Sequence, residues 1–108
     1  MTTEDLIESL TAKVNGKNDR RDVLLFTLST CMWCKKCKRW LDEHNIAYRY
    51  VDVDKIEFDH KAEILDYLRN RFEGTRISYP FMICDDEHVV GYNPNRYEEL
   101  MKGREAKA

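Results

Sequence analysis

A chain of 108 residues has room for one domain and one modest core, and its 43% hydrophobic content is enough to build that core. Eighteen Lys and Arg against twenty Asp and Glu leave a net charge of −2, which gives no electrostatic case for nucleic acid or an anionic membrane as partner. No apolar run approaches the roughly 20 residues of a membrane span, and the acidic start Met1-Thr2-Thr3-Glu4-Asp5 lacks the basic and apolar regions of an export signal, so the cytoplasm is the expected location.

Leu6, Ile7, Leu10 and Val14 recur at helical spacing. They predict an amphipathic helix over about 3–14, capped by Thr2 or Thr3, with Glu4 and Asp5 in its first turn. Asn15-Gly16-Lys17-Asn18-Asp19 breaks the pattern as a polar loop. Val23-Leu24-Leu25-Phe26-Thr27-Leu28 is nearly all apolar, as expected of a strand covered on both faces.

Next comes Cys31-Met32-Trp33-Cys34-Lys35-Lys36-Cys37, which opens a segment of helical pattern. Cys34, Cys37, Trp40, Leu41 and His44 share one stripe of it, and Asn45 marks its stop. Three of the four cysteines fall within seven positions, which reads as redox-active or metal-binding thiols rather than a disulfide framework. A thiol at a helix N-terminus meets unpaired N–H groups and the positive end of the dipole, and both favour the thiolate. Cys31 is therefore the expected nucleophile, and Cys34, one turn on, its resolving partner. Lys35, Lys36, Lys38 and Arg39 crowd the same turn. Cations there oppose the dipole, but they lower a thiol pKa and attract acidic partners, so Lys35 and Lys36 are expected to stabilise the thiolate.

Ala47–Val53 is rich in aromatic and β-branched residues and predicts a second strand, parallel to the first through a right-handed βαβ crossover. A helix carrying Ile64, Leu65, Leu68 and Phe72 follows, with Asp59 as its expected cap and Gly74 as its stop. Ile77–Cys84 predicts a strand entered through Pro80, Asp85-Asp86-Glu87 a turn, and His88–Tyr92 the partner strand of a hairpin. Asn93-Pro94 signals a last helix, with Tyr97, Leu100 and Met101 inward and a frayed tail from Gly103 to Ala108. The order α-β-α-β-α-β-β-α gives an α/β fold: a four-stranded mixed sheet with helices on both faces.

These residues together resemble the glutaredoxin branch of the thioredoxin-like superfamily. The resemblance rests on Leu25 to Lys36, Tyr48 to Asp52, Tyr79-Pro80 and the Gly91 region. It implies one glutaredoxin-like domain over 1–108, with an added N-terminal helix and a core of about 23–102. It also implies a cis-proline at Pro80 facing Cys31, with the Tyr79 backbone free to pair with a substrate chain. The chain departs from the family pattern in three places. Met32 stands where proline is common, and Ser29 and Thr30 stand where a lysine often precedes the motif. Gly91-Tyr92-Asn93-Pro94 replaces the Gly-Gly pair, small hydroxyl residue and acid that receive glutathione. This last stretch looks more like the NrdH-type redoxins, which serve ribonucleotide reductase and are reduced by thioredoxin reductase.

The expected function is thus a dithiol–disulfide oxidoreductase that reduces protein disulfides through Cys31 and Cys34. Thr30, Trp33, Tyr79, Pro80 and Tyr92 are expected to bind substrate, and Cys37 to be a secondary thiol or a buried stand-in for a small residue. No cofactor or metal is expected, the electron source is a thioredoxin reductase-like enzyme rather than glutathione, and the chain is expected to be a monomer. Cys84 and Trp40 read as core, and His44, His60 and His88 share no ligand spacing. The alternative class is a metal or iron–sulfur protein using Cys31, Cys34 and Cys37, or a thiol redox sensor.

Overall fold

The computed structural model describes residues 2–107, and the side chains of 103–107 lie outside that description. The expected frayed tail falls on those residues. The first helix, α1 (Thr3–Leu10), begins in a capping box: Thr2 accepts the Asp5 N–H, and the Asp5 carboxylate accepts the Thr2 N–H. It is shorter than its periodicity predicts. Thr11 ends it by turning its hydroxyl back onto the Glu8 carbonyl at 2.9 Å, and Ala12–Val14 forms a strand, β1.

Four further strands follow: β2 (Val23–Thr27), β3 (Tyr48–Asp52), β4 (Phe81–Cys84) and β5 (Glu87–Val90). Among the described residues the sheet therefore has five strands rather than four, in the order β1-β3-β2-β4-β5. The extra strand is β1, antiparallel to β3 with Lys13 opposite Arg49. Three residues cannot separate themselves from a preceding helix by pattern alone, and what makes them a strand is the distant partner. β2 and β3 are parallel, with Phe26 opposite Val51, while β4 runs antiparallel to β2 and β5 antiparallel to β4.

β2 is buried along its whole length, and its side chains alternate between two cores. Val23 and Leu25 face α2 (Met32–Glu43) and α4 (Pro94–Lys107), packing with Trp40, Leu41, Tyr97 and Leu100. Leu24 and Phe26 face α1 and α3 (Phe58–Arg71), packing with Ile7, Ile64, Leu68 and Phe81. Helices thus cover both faces of the sheet. Asn45 leaves α2 at a φ of 56°, the left-handed conformation that Asn tolerates.

Other boundaries shift by a few residues. The cap of α3 is Glu57, without a side-chain bond, and Asp59 sits inside the first turn. The helix closes at Phe72, and Gly74 serves the turn beyond it at a φ of 83°. Ile77 to Tyr79 remain outside the sheet, the Tyr79–Pro80 peptide bond is cis, and β4 starts at Phe81. Asn93 caps α4 as expected, accepting the Arg96 N–H at 3.2 Å ahead of Pro94. At the lower end of β2 the buried Arg21 guanidinium bonds both the Asp85 carboxylate and the Leu100 carbonyl, joining the β4–β5 turn to α4.

The loop between β1 and β2 lies against the turn that ends α2. A Cβ on Gly16 would come within 2.6 Å of the backbone at Asn45, Ile46 and Ala47, none of which can swing aside. Gly16→Ala is expected to destabilise the protein by about 1–3 kcal/mol, the range of overpacking changes. Urea unfolding of the two proteins checks this, and an unchanged midpoint would contradict the packing described.

Candidate functional site

The site is built where β2 ends and α2 begins, beyond the carboxyl ends of the parallel pair β2–β3. In parallel α/β sheets, ligands and reacting groups are met at that end. After Thr27 the chain makes one turn, closed by the Cys31 N–H on the Leu28 carbonyl at 3.1 Å, and Cys31 becomes the N-cap of α2. Its thiol takes the place a serine or aspartate oxygen usually has, accepting the Cys34 N–H at 3.4 Å. The Cys34 sulfur accepts the Leu28 N–H at 3.4 Å. Cys31 is half-buried, whereas Cys34 is only 1% exposed.

These surroundings split the two thiols. Burial opposes ionisation of Cys31, but the N–H of Cys34, the Cys34 thiol and the N–H of Trp33 outweigh it and hold the pKa below that of an ordinary thiol. Burial pushes Cys34 up to about 12; the Leu28 N–H works against this, and the neighbouring Cys31 and Cys37 add to it. Cys37 is fully buried and pushed up to about 11 by burial, against smaller opposing effects of Tyr97 and Lys38. Cys84, on β4, is likewise buried and raised to about 11, with Arg21 opposing. All four thiols are free.

The lysines are arranged differently from expectation. Thiolate stabilisation at Cys31 comes from the N–H groups of α2's first turn. Lys36 rests over the Trp33 ring, 4.5 Å from its centre. Lys38 reaches Asp52 at 3.2 Å and covers the Tyr50 ring at 3.9 Å. Lys35 is exposed.

Around the thiol stands an apolar rim. Met32 and Trp33 are 65% and 53% exposed, and Trp33 stacks on Tyr92 with ring centres 5.9 Å apart. Thr30 is exposed in the preceding turn, and Pro80 is buried. The Tyr79 ring leans into the α1–α3 core, its hydroxyl buried without a partner. Among the described residues, no group of three or more His, Cys, Asp or Glu side chains is placed to hold a metal ion. A broad hollow lies at the far end of the sheet, near Lys13, Tyr48, Val23 and Asp85, away from Cys31.

Sequence reasoning missed the polar supports beneath this rim. Thr27 is fully buried and gives its hydroxyl to Asp52. Ser29 gives its N–H and hydroxyl to Asp54 at 2.8 and 2.5 Å. That pair of bonds holds the Asp54 carboxyl below its usual pKa and ties the turn before Cys31 to the end of β3. The signal that could have found them is the spacing Asp52-Val53-Asp54 at the end of a parallel strand, where acids lie at the same end of the sheet as the cysteines.

Among the described residues no helix is long and apolar enough to cross a membrane. The family model described as Glutaredoxin matches residues 23–89. Of solved structures, the glutaredoxin from Methanosarcina mazei Go1 superposes with a TM-score of 0.73 at 33% identity, covering 84% of this chain and 86% of that one. The glutaredoxin-like protein NrdH of Lactococcus lactis subsp. lactis is 31% identical over 78 residues, 72% of this chain and 97% of that protein. Glutaredoxin 1 of Rickettsia conorii is 29% identical over 69 residues, and the chain spans 63% of that protein's length.

The thiol asymmetry has a direct readout. Limiting iodoacetamide is expected to label Cys31 ahead of Cys34, Cys37 and Cys84. Because a lowered pKa keeps the thiolate present at lower pH, half-maximal labelling of Cys31 is expected below the pH of an ordinary thiol. Peptide mass mapping across a pH series checks both points, and equal labelling of Cys34 would contradict the asymmetry.

Proposed function

The chain belongs to the glutaredoxin family, and from that footing we propose that it is a dithiol–disulfide oxidoreductase reducing protein disulfides through Cys31 and Cys34. The observation that carries this reading is the split between the two thiols: one half-exposed with a lowered pKa, the other buried beside it and raised. A nucleophile must be ionised and reachable, whereas a resolving thiol must wait.

In the proposed cycle the Cys31 thiolate attacks one sulfur of a substrate disulfide. A bond forms between Cys31 and that sulfur, the substrate S–S bond breaks, and the other substrate sulfur leaves as a thiolate that takes a proton. Cys34 is then relieved of the neighbouring Cys31 charge and thiol that raise its pKa. It loses its proton, attacks Cys31 and frees the second substrate thiol. Two electrons have passed to the substrate, and Cys31–Cys34 is left as a disulfide for an upstream reductase to reopen.

Trp33, Tyr92, Thr30 and Pro80 would rim the substrate. The Tyr79 backbone would pair with it, since among the described residues no backbone hydrogen bond reaches it. Tyr92, stacked on Trp33, occupies the position where a second glycine would admit glutathione, which favours a thioredoxin reductase-type donor. Such a donor must be kept reduced, which suits the cytoplasm, with the chain acting as one domain and a monomer.

Three measurements test this. Cys31→Ser is expected to reduce a protein disulfide no faster than background. Cys34→Ser is expected to trap a mixed disulfide through Cys31, visible as a mass adduct removed by dithiothreitol. For the donor, Trp33 emission of the oxidised protein is followed with NADPH and thioredoxin reductase, or with glutathione and its reductase. Recovery with the first alone supports the reading, and Tyr92→Gly should then raise the rate with glutathione. Ready reduction of the unaltered protein by glutathione would overturn the assigned donor, and a Cys31→Ser protein with full activity would overturn the mechanism.

A further inference from the structure

The outer face of α2 is not used by the cycle above. Cys34, Cys37, Trp40 and Leu41 form the buried stripe of this helix. Met32, Lys35, Lys36 and Arg39 form the opposite stripe at helical spacing, and Trp33 flanks it. Met32, Lys35 and Arg39 are exposed, and Lys36 is half-buried where its ammonium rests over the Trp33 ring at 4.5 Å. Among the described residues, none of these cations reaches a carboxylate, whereas Lys38, turned toward β3, is paired with Asp52 at 3.2 Å. The helix itself offers them no acid before Asp42.

Such a face is unusual in a chain of net charge −2. Unpaired cations bunched at the positive end of a helix dipole work against the helix. A face kept only for solubility mixes both signs, and this stretch carries one. The first-turn N–H groups already hold the Cys31 thiolate, so the cations are left facing outward beside it. The other flank of Cys31 has the opposite sign: Asp54, exposed in the turn after β3, is tied to Ser29. An acidic chain arriving at Cys31 is therefore drawn along α2 and away from β3. The overall negative charge is screened beyond about 8 Å at physiological salt, so the nearby stripe decides. From Met32 to Arg39 the stripe rises about 10 Å, a length that an extended chain covers in about three residues.

We propose that the Met32–Arg39 face of α2 is a docking surface for an acidic polypeptide segment. In the partner, about three residues beside the cysteine that joins Cys31 carry Asp or Glu, set against Lys35, Lys36 and Arg39. An apolar side chain next to them rests on Met32 and Trp33, which are 65% and 53% exposed. The substrate class deepens the proposed function and rests on it for the reaction, whereas binding of the acidic segment does not.

The test uses three disulfide-containing peptides that differ only in three flanking residues, all Asp, all Asn or all Lys. At low salt, kcat/KM is expected to be about tenfold higher for the Asp peptide than for the Asn peptide, through KM, with the Lys peptide poorest. Lys35→Gln combined with Arg39→Gln is expected to lower that preference about fivefold. Lys17→Gln, which removes an exposed cation from the loop between β1 and β2, is expected to keep it. In about 1 M sodium chloride, where charges are screened beyond about 3 Å, the preference should vanish. Equal kcat/KM for the Asp and Asn peptides would overturn the proposal, as would a preference that survives in the double variant. Binding is read separately by NMR titration with the Asp peptide carrying serine for both cysteines. Shifts centred on the amides of Lys35, Lys36 and Arg39 are expected, and their absence would overturn the docking surface. A short single-stranded DNA that moves the same amides at lower concentration would overturn the assignment to a protein partner. If the wild-type protein reduces none of the three peptides, the function fails, and the titration still decides the surface.

Discussion

The proposed chemistry hangs on a sulfur accepting a backbone N–H at the start of a helix. At 3.4 Å from the Cys34 N–H, the Cys31 thiol fills the capping position that oxygen-bearing side chains usually fill. The capping bond is the stronger when the sulfur carries charge, so the same contact that starts α2 also favours the thiolate. Helix initiation and stabilisation of the thiolate are one interaction. Cys34 gains nothing comparable, because its sulfur lies inside the first turn, where burial dominates and a single N–H from Leu28 offsets part of it.

That interaction needs a fixed frame, and β2 supplies it. A strand buried on both faces alternates its side chains between two cores, so α1 with α3 on one side and α2 with α4 on the other are referenced to the same five residues. The turn leaving β2 is held from a second direction by Asp54, which accepts two bonds from Ser29. Below, the Arg21 guanidinium joins the β4–β5 turn to the Leu100 carbonyl, so the far ends of hairpin and helix are tied as the near ends are. The thiol is positioned by parts of the chain that are far apart in sequence.

This is also why the sequence could be read in some places and not in others. β2 and α2 were legible because their signals are local: an uninterrupted apolar run, then a stripe at helical spacing. Asn45, Asn93 and Pro94 were legible for the same reason, since capping and turn chemistry act over three or four residues. β1 was not, because Ala12–Val14 are extended only by virtue of pairing with Tyr48–Tyr50. The polar supports were equally hidden, as Thr27 and Asp52 or Ser29 and Asp54 meet across 25 positions. Around the cysteines, the sequence suggested that charge from Lys35 and Lys36 would act on the thiol. The structure instead sets Lys36 on the Trp33 ring, a competition between partners that only the folded rotamers decide.

Only one sulfur of the pair meets solvent, and that has a consequence for traffic. In the proposed cycle, the group that hands out electrons and the group that receives them must each come to Cys31, since Cys34 is 1% exposed. Source and sink therefore take turns at a single doorway, and no ternary complex with both in place can form. In that cycle the protein would act as a shuttle. Its throughput is limited by how quickly it lets one partner go before meeting the other, so a rim that grips too well would slow it as surely as one that grips too little.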